Sequence, residues 1–470
     1  MHEPRCFHCH IHHVFEVIFM KVVIVGNGKV GNSLADRLSS EGHDVVVIDN
    51  DPENLKNSDT RMDIITVLGN GVSYTVQLEA GVPKADLLVA ATPSDECNML
   101  CCLVAHKLGA QHTIARVRNP EYAQQLVLMR EDLGLTMAVN PELAASKEIA
   151  RILAFPSATK IETFCKGRVE LCEFTVPQGS PLHNLPLSSL YSKYRLKVLV
   201  CTVQRGDKVI IPQGDFVLQA GDHIGITASP AEIAAFFKAI DLTREKIRSV
   251  LVVGGSRIAY YLTRQLLDMG MEVTVVEREH KRCLELCEYF PKAIVIEGDG
   301  SDHELLLEEG LDKADAFVAL TGNDEENILL SLFASASQVS KTITKVNRSA
   351  LLKIAQQLPL DSVVSPKAVV TNQILQYARA LDNSKGSNVE TLYRMVGDRV
   401  EALEFLIADG FDKHSVPLRD LPLGKDLLIA CIIRKGKVII PGGRDTIEIG
   451  DSVVVVTTKP FMKDIHDIFA

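Results

Sequence analysis

The chain contains itself twice, and that repeat constrains its architecture more than any other feature. The segment KVVIVGNGKVG at 21–31 returns as RSVLVVGGSRIA at 248–259, so that Gly26 meets Gly254 at an offset of 228 residues. The correspondence then continues down the chain. Asp49 matches Glu277, AGVPKADLLVAAT at 80–92 matches EGLDKADAFVALT at 309–321, and Asp95, Glu96 and Asn98 match Asp324, Glu325 and Asn327. Further on, VELCEF at 169–174 meets VEALEF at 400–405, and KVIIPQG at 208–214 meets KVIIPGG at 437–443. Each half therefore holds two modules, and 470 residues accommodate about four compact units at ordinary domain sizes.

The first module of each half alternates short apolar strands with helix-periodic segments. Strands that are apolar on both faces and separated by helices imply a doubly wound parallel sheet, an α/β Rossmann-like fold. The second module is a run of short β-rich segments broken by Gly, Pro and Asp turns, a small α+β sheet with one or two helices. The expected divisions are an extension over 1–19, a nucleotide-binding unit over 20–140, a linker helix over 141–158 and a small module over 159–240. The second set follows at 247–365, 366–388 and 389–470. Met20 is the natural start of the first strand, which makes a mis-assigned initiation codon the simple account of the extension.

Composition excludes several classes. Sixty acids against 50 Lys and Arg give a formal net charge of -10, which argues against a chain-wide grip on nucleic acid. The apolar stretch 14–25 carries Glu16 and Lys21 and falls short of the ~20 residues a spanning helix needs. Eleven unpatterned cysteines read as reduced cytoplasmic thiols, not a disulfide framework. His2, Cys6, His8, Cys9, His10, His12 and His13 crowd the first residues, but no second cysteine pair lies at finger spacing, so no metal site is expected.

Gly26, Gly28 and Gly31 form GxGxxG between an apolar strand and an amphipathic helix, and Asp49 ends the next strand. In that context the glycines permit a tight turn, a close approach to a pyrophosphate and tight helix packing, while the acid accepts ribose hydroxyls. A carboxylate there favours NAD or another adenine nucleotide over a 2′-phosphorylated one. The second loop keeps Gly254, Gly255 and Glu277 but has Ser256 and Ala259 at the later glycine positions, with Arg257 beside them, so its ligand is less determined. Thr92 and Thr321 follow the fourth strand of each unit, at the edge where such sheets bind ligands. Asp95, Glu96, Asp324 and Glu325 suit a helix first turn better than a general-acid pair. Arg116 has two open roles, phosphate partner or ion pair at a subunit contact, and Lys345 takes its place in the second half. Cys97, Cys101 and Cys102 are expected to be packing thiols.

No catalytic domain accompanies the nucleotide modules, so an enzyme is not expected, although the glycine loop alone would permit an NAD-dependent oxidoreductase. KVVIVGNGKVG with Asp49, GVPKADLLVAATPSDECN, IARVRNPEY, their repeats, and the endings QAGDHIGITA and EIGDSVVVVT together resemble the TrkA family of tandem RCK (KTN) proteins over nearly the whole chain. That resemblance implies a cytoplasmic regulatory subunit, peripheral on the membrane's inner face, that gates a TrkH-like or TrkG-like potassium-translocating partner and assembles as a homo-oligomeric ring, commonly a tetramer. It also implies NAD(H), with ATP or ADP as the alternative at one or both sites. The contacts carried over are Gly26, Asn27, Gly28, Lys29, Val30, Asp49, Thr92, Pro93 and Arg116, and Gly254, Gly255, Ser256, Arg257, Ile258 and Glu277. Regulation of another cation channel or antiporter would share this fold.

Overall fold

The computed structural model describes residues 20–59, 63–156, 160–164, 168–242, 246–355, 357–383, 389–395, 399–424, 426–459, 462 and 464–469. The His- and Cys-rich segment 1–19, and with it the metal question, lies outside the described residues.

The first unit comprises β1 (Lys21–Val25), α1 (Lys29–Ser40), β2 (Asp44–Asp49), α2 (Pro52–Asp59), β3 (Ile65–Leu68), α3 (Tyr74–Glu79), β4 (Leu87–Ala90), α4 (Asp95–Leu108), β5 (His112–Arg116), α5 (Pro120–Met129) and β6 (Met137–Val139), followed by α6 (Pro141–Ala154). Its sheet runs β3-β2-β1-β4-β5-β6 with every pairing parallel. The order reverses between β1 and β4, which opens a crevice at their carboxyl ends. Central strands β1 and β4 bury almost every residue, the result of helices on both faces.

A small module follows: β7 (Lys160–Phe164), β8 (Val169–Thr175), α7 (Leu190–Tyr194), β9 (Leu199–Arg205), β10 (Lys208–Ile210), β11 (His223–Ala228) and α8 (Pro230–Ala239). Its five-stranded sheet, ordered β10-β9-β11-β8-β7, is antiparallel throughout.

The second half repeats this with β12 (Ser249–Val253), α9 (Arg257–Asp268), β13 (Glu272–Glu277), α10 (His280–Tyr289), β14 (Ile294–Glu297), α11 (His303–Glu308), β15 (Ala316–Ala319), α12 (Asp324–Ala336), β16 (Lys341–Lys345), α13 (Ser349–Ala355), β17 (Ser362–Val364) and α14 (Pro366–Asn383). The parallel order is β14-β13-β12-β15-β16-β17. The last module pairs β18 (Val389–Met395), β19 (Val400–Leu406), β20 (Leu427–Arg434), β21 (Lys437–Ile439) and β22 (Ser452–Thr457) in the order β18-β19-β22-β20-β21.

The two bridging helices do more than connect modules, because each completes the core of the opposite half. Ala145, Ile149, Ile152 and Leu153 of α6 pack among Val250, Val252, Leu262 and Leu266 of the second unit. Val370, Ile374, Leu375 and Ala378 of α14 pack among Val22, Ile24, Leu34 and Leu38 of the first. Polar contacts fix the exchange. Arg379 grips Glu41 bidentately at 2.6 and 3.0 Å, Tyr377 Oη lies 3.0 Å from His112 Nδ1, and Gln265 donates to Ser146 Oγ at 2.8 Å.

The small modules pack sheet against sheet through Phe164, Val169, Leu171 and Cys201 on one side and Val400, Ala402, Cys431 and Val454 on the other. Their outer faces are covered differently. Ile233, Phe236 and Phe237 of α8 cover the first, whereas Met462 together with Ile465 and Ile468 of a terminal 3-10 turn covers the second, which carries no α-helix among its described residues. The repeated GD endings have one physical role: Asp222 and Asp451, each 1% exposed, accept from Arg205 and Arg434 and pin the preceding turns.

The exchanged helices make a prediction. Ile374→Ala, though in the second half, removes a fully buried side chain from the first core and is expected to cost about 2–4 kcal/mol. Amide hydrogen exchange checks it: β1 and β2 lose protection while β12 and β13 keep theirs.

Candidate functional site

Each glycine loop is shaped by the turn from its first strand into its first helix. Gly26 takes φ +97, donates to Ile48 O at 2.8 Å, and stands so close to the end of β4 that an added Cβ would lie 2.9 Å from Thr92 N. Gly31 admits no side chain either, since its Cβ would collide with the Gly26 carbonyl. Gly28 differs: a Cβ there meets nothing within 4 Å, so the space above the loop is open for an anion to approach. The residue caps α1 with backbone only, and that helix opens with Lys29 and the buried Val30.

Asp49, at the tip of β2 and 8% exposed, organises the loop. Its Oδ2 accepts the Asn27 N–H at 2.6 Å, and its Oδ1 accepts the Asp51 N–H at 2.9 Å and Asn54 Nδ2 at 3.3 Å. The Asn27 side chain reaches Asn54 O at 2.6 Å. In the second loop the acid is one methylene longer and the partner has lost its side chain: Glu277 Oε2 accepts the Gly255 N–H at 2.5 Å. A Cβ on Gly255 would sit 3.0 Å from Glu277 Cγ, so Gly255 with Glu277 replaces Asn27 with Asp49 as a matched pair. Gly254 reproduces Gly26, at φ +98 against the Leu320–Thr321 peptide. Ser256 starts α9 without a side-chain cap, its Oγ buried and unpartnered among the described residues, followed by exposed Arg257 and buried Ile258. Ala259 is fully buried where Gly31 stands in the first loop.

At the carboxyl edge, the repeated asparagine is the residue that sequence reasoning matched but assigned no role. Asn98, fully buried, accepts from Thr92 N at 2.8 Å and Thr92 Oγ1 at 2.7 Å and donates to Arg116 O at 2.8 Å, tying β4 to β5. Asn327 does the same between Thr321 and Lys345. Its recurrence in DECN and DEEN was the available signal. Arg116 donates to Thr92 O at 2.5 Å, and Lys345 Nζ donates to Thr321 O. Pro93 follows Thr92 and offers its carbonyl to Arg118 at 2.6 Å.

The acids after these loops are structural. Asp95 Oδ2 accepts the Arg118 and Asn119 N–H groups at 2.8 Å each, and Ser94 caps α4. Asp324 holds Asn347 and Arg348 likewise. Cys101 and Cys102 are fully buried, Cys97 partly so. Burial pushes the Cys102 thiol up to about 12 and raises Cys101 as well, so neither supplies a thiolate near neutral pH.

The exchanged helices bring cations from both halves together. Burial, then the neighbouring Arg118, then the more distant Arg257 lower the pKa of Arg116, with Glu142 and Asp95 opposing. Burial depresses Lys345 as well, and Lys29 of the first loop adds to it against Asp324 and Glu142. The charge of a cation in each glycine loop is thus felt at the edge of the other half's sheet. Buried polar atoms with no hydrogen-bond partner among the described residues gather at this junction: Arg116 Nε, Arg118 Nε, Asp95 Oδ1 and Glu142 Oε2.

Backbone requirements separate the two glycines of the first loop. Gly26→Ala is expected to cost about 1–3 kcal/mol through its positive φ and the Thr92 contact, whereas Gly28→Ala should stay within about 1 kcal/mol of the parent. Urea unfolding of the two variants measures the difference.

Comparison with known proteins agrees with this geometry. The TrkA-N domain matches residues 22–141 and 250–366, and the TrkA-C domain matches 171–241. The Trk system potassium uptake protein TrkA homolog 1 of Methanosarcina mazei is 32% identical over 459 residues, 96% of this chain and 100% of that protein. TrkA of Halomonas elongata is 31% identical over 454 residues, 96% and 98% of the two chains. Among solved structures, the GsuK channel superposes with a TM-score of 0.62 at 18% identity, covering 94% of this chain and 77% of its own; the same channel bound to NAD gives 0.61 at 19%, with the same coverage. Two TrkA-N matches with a TrkA-C match between them, together with relatives of this similarity along nearly the full length, mean that the chain belongs to the TrkA family of Trk-system potassium uptake proteins.

Proposed function

We propose that this chain is a non-enzymatic, cytoplasmic regulatory subunit of potassium uptake, in which adenine nucleotide bound at the two glycine loops sets the conformation of a ring that gates a TrkH-like or TrkG-like membrane subunit. One observation carries the reading. At the carboxyl edges Arg257 contributes to the lowered pKa of Arg116 and Lys29 to that of Lys345, each across the two halves, and the space at Gly28 of the first loop is open. Arg116 is partly buried and Lys345 buried while Lys29 and Arg257 are exposed, and a polyanion seated among these like charges relieves their repulsion while contacting both halves at once. Phosphate groups suit the site, because the loop beside Gly28 is open and Arg116 Nε makes no hydrogen bond among the described residues, while Arg118 Nε has only a 3.8 Å ion pair with Asp95.

For the first site we assign Gly26, Asn27, Gly28, Lys29, Val30 and Gly31 to the phosphates, Asp49 to the ribose, and Thr92, Pro93 and Arg116 to the far edge. For the second we assign Gly254, Gly255, Ser256, Arg257 and Ile258 to the phosphates and Glu277 to the ribose. NAD(H) is the favoured ligand, consistent with a channel of the same fold described as bound to NAD, with ATP or ADP the alternative at either site. Asp95 and Asp324, the acids that follow the loops, hold backbone amides, a structural duty that favours a regulator over an oxidoreductase. A ligand that binds two halves differently in two arrangements shifts the balance between them, and several coupled sites, as in a tetrameric ring, steepen the response.

The test is calorimetric titration of NADH, NAD, ATP and ADP into the full chain and into Asp49→Ala. Loss of about tenfold or more in affinity at one site, roughly 1.4 kcal/mol, is the expected result. Unchanged binding by the variant, or NADH oxidation with any of a panel of carbonyl acceptors, would contradict the reading.

A further inference from the structure

The two sites differ most along the edge that faces the ribose. Residues 49–56 carry Asp49, Asp51 and Glu53 against Lys56, and Lys56 is spent on Glu53 at 2.5 Å. The matching residues 277–284 carry Glu277 and Glu279 against Arg278, Lys281 and Arg282. The place of Arg282 is held in the first half by Asn54, which touches Asp49 with a neutral amide.

Arg282 sits on the glycine loop itself. Its Nε donates to Gly255 O at 2.6 Å and one Nη donates to Glu285 at 2.7 Å, while the N–H of the same Gly255 is taken by Glu277. Guanidinium and ribose acid therefore hold opposite ends of one residue, and the remaining Nη of Arg282 makes no hydrogen bond among the described residues. Arg278, next to Glu277, is exposed and makes no hydrogen bond or ion pair among them; its charge reaches Asp299, just beyond the end of β14. Lys281 is likewise exposed. Two forked cations with unused donors thus stand next to Glu277 and on its loop, whereas residues 49–56 carry no arginine.

Resting on the nucleotide reading above, we propose that the second site takes an adenine nucleotide whose ribose carries a phosphate monoester, the class of 2′-phosphorylated adenosines, while the first takes the unphosphorylated diol. A ribose phosphate brings nearly two negative charges and oxygens that match a guanidinium fork. Glu277 opposes it, but both its oxygens already accept backbone N–H groups, from Gly255 and from Glu279 at 2.8 Å, and Arg282 stands one peptide away. At Asp49 the same phosphate would meet Asp51 and Glu53, and the one cation of residues 49–56, Lys56, is already paired with Glu53.

The test uses the full chain carrying Gly28→Trp, which fills the open space of the first loop, titrated with AMP and with adenosine 2′,5′-bisphosphate, two probes that differ only in the 2′-phosphate. The bisphosphate should bind about tenfold tighter, and adding Arg278→Ala with Arg282→Ala should erase that preference, bringing the ratio of the two affinities to within about threefold of one. AMP bound and the bisphosphate rejected would overturn the proposal and leave the nucleotide reading standing. Binding of neither probe would overturn both for this site, and a preference that survives the double substitution would overturn the role of the two arginines.

Discussion

Neither half of this chain finishes its own core. The helix that leaves each parallel sheet crosses to the other, so Ile149 and Leu153 are buried among second-half residues and Ile374 and Ala378 among first-half ones. Removing either helix would expose an apolar face of the opposite unit, a burial worth roughly 1.5–3 kcal/mol for each large side chain. The small modules add a second seam through their facing sheets. These two contacts join the halves, and the helices that follow the glycine loops, α1 and α9, pack directly on the crossing helices α14 and α6.

Much of this was legible in the residues. The 228-residue repeat, apolar strands followed by glycines, and acids at the strand tips define two doubly wound sheets and the edge where a ligand sits. The destination of the bridging helices was not legible, since the apolar stripe of α6 says that it packs on a sheet but not on which one. Arg379 and Glu41, or Tyr377 and His112, meet across more than half the chain, and nothing local to either residue announces the partner. The second module was expected to repeat the first down to its helix; a short turn at Ile465 and Ile468 covers the same face, because any compact apolar element suffices there.

At the site, residue types were readable and their duties less so. Asp95 and Asp324 read in sequence as first-turn acids, which they are, and their further duty as clamps on the loop after the fifth strand was not readable. Asn98 and Asn327 look like repeat filler and join the two strand ends that frame the site. The change from Asn27 with Asp49 to Gly255 with Glu277 reads as drift in sequence, yet the Gly255 Cβ position falls on the Glu277 side chain, so the two changes depend on each other.

The central claim is that occupancy of one half is felt by the other through the exchanged helices. Hydrogen exchange of the full chain with and without saturating NADH tests it most directly, using Ser256→Trp to confine the ligand to the first loop. The account predicts altered protection at 26–31 and 92–98 together with residues 366–383 of α14 and the edge of the second sheet at 341–345. Protection changes confined to the first unit, with α14 and β16 unaffected, would contradict it.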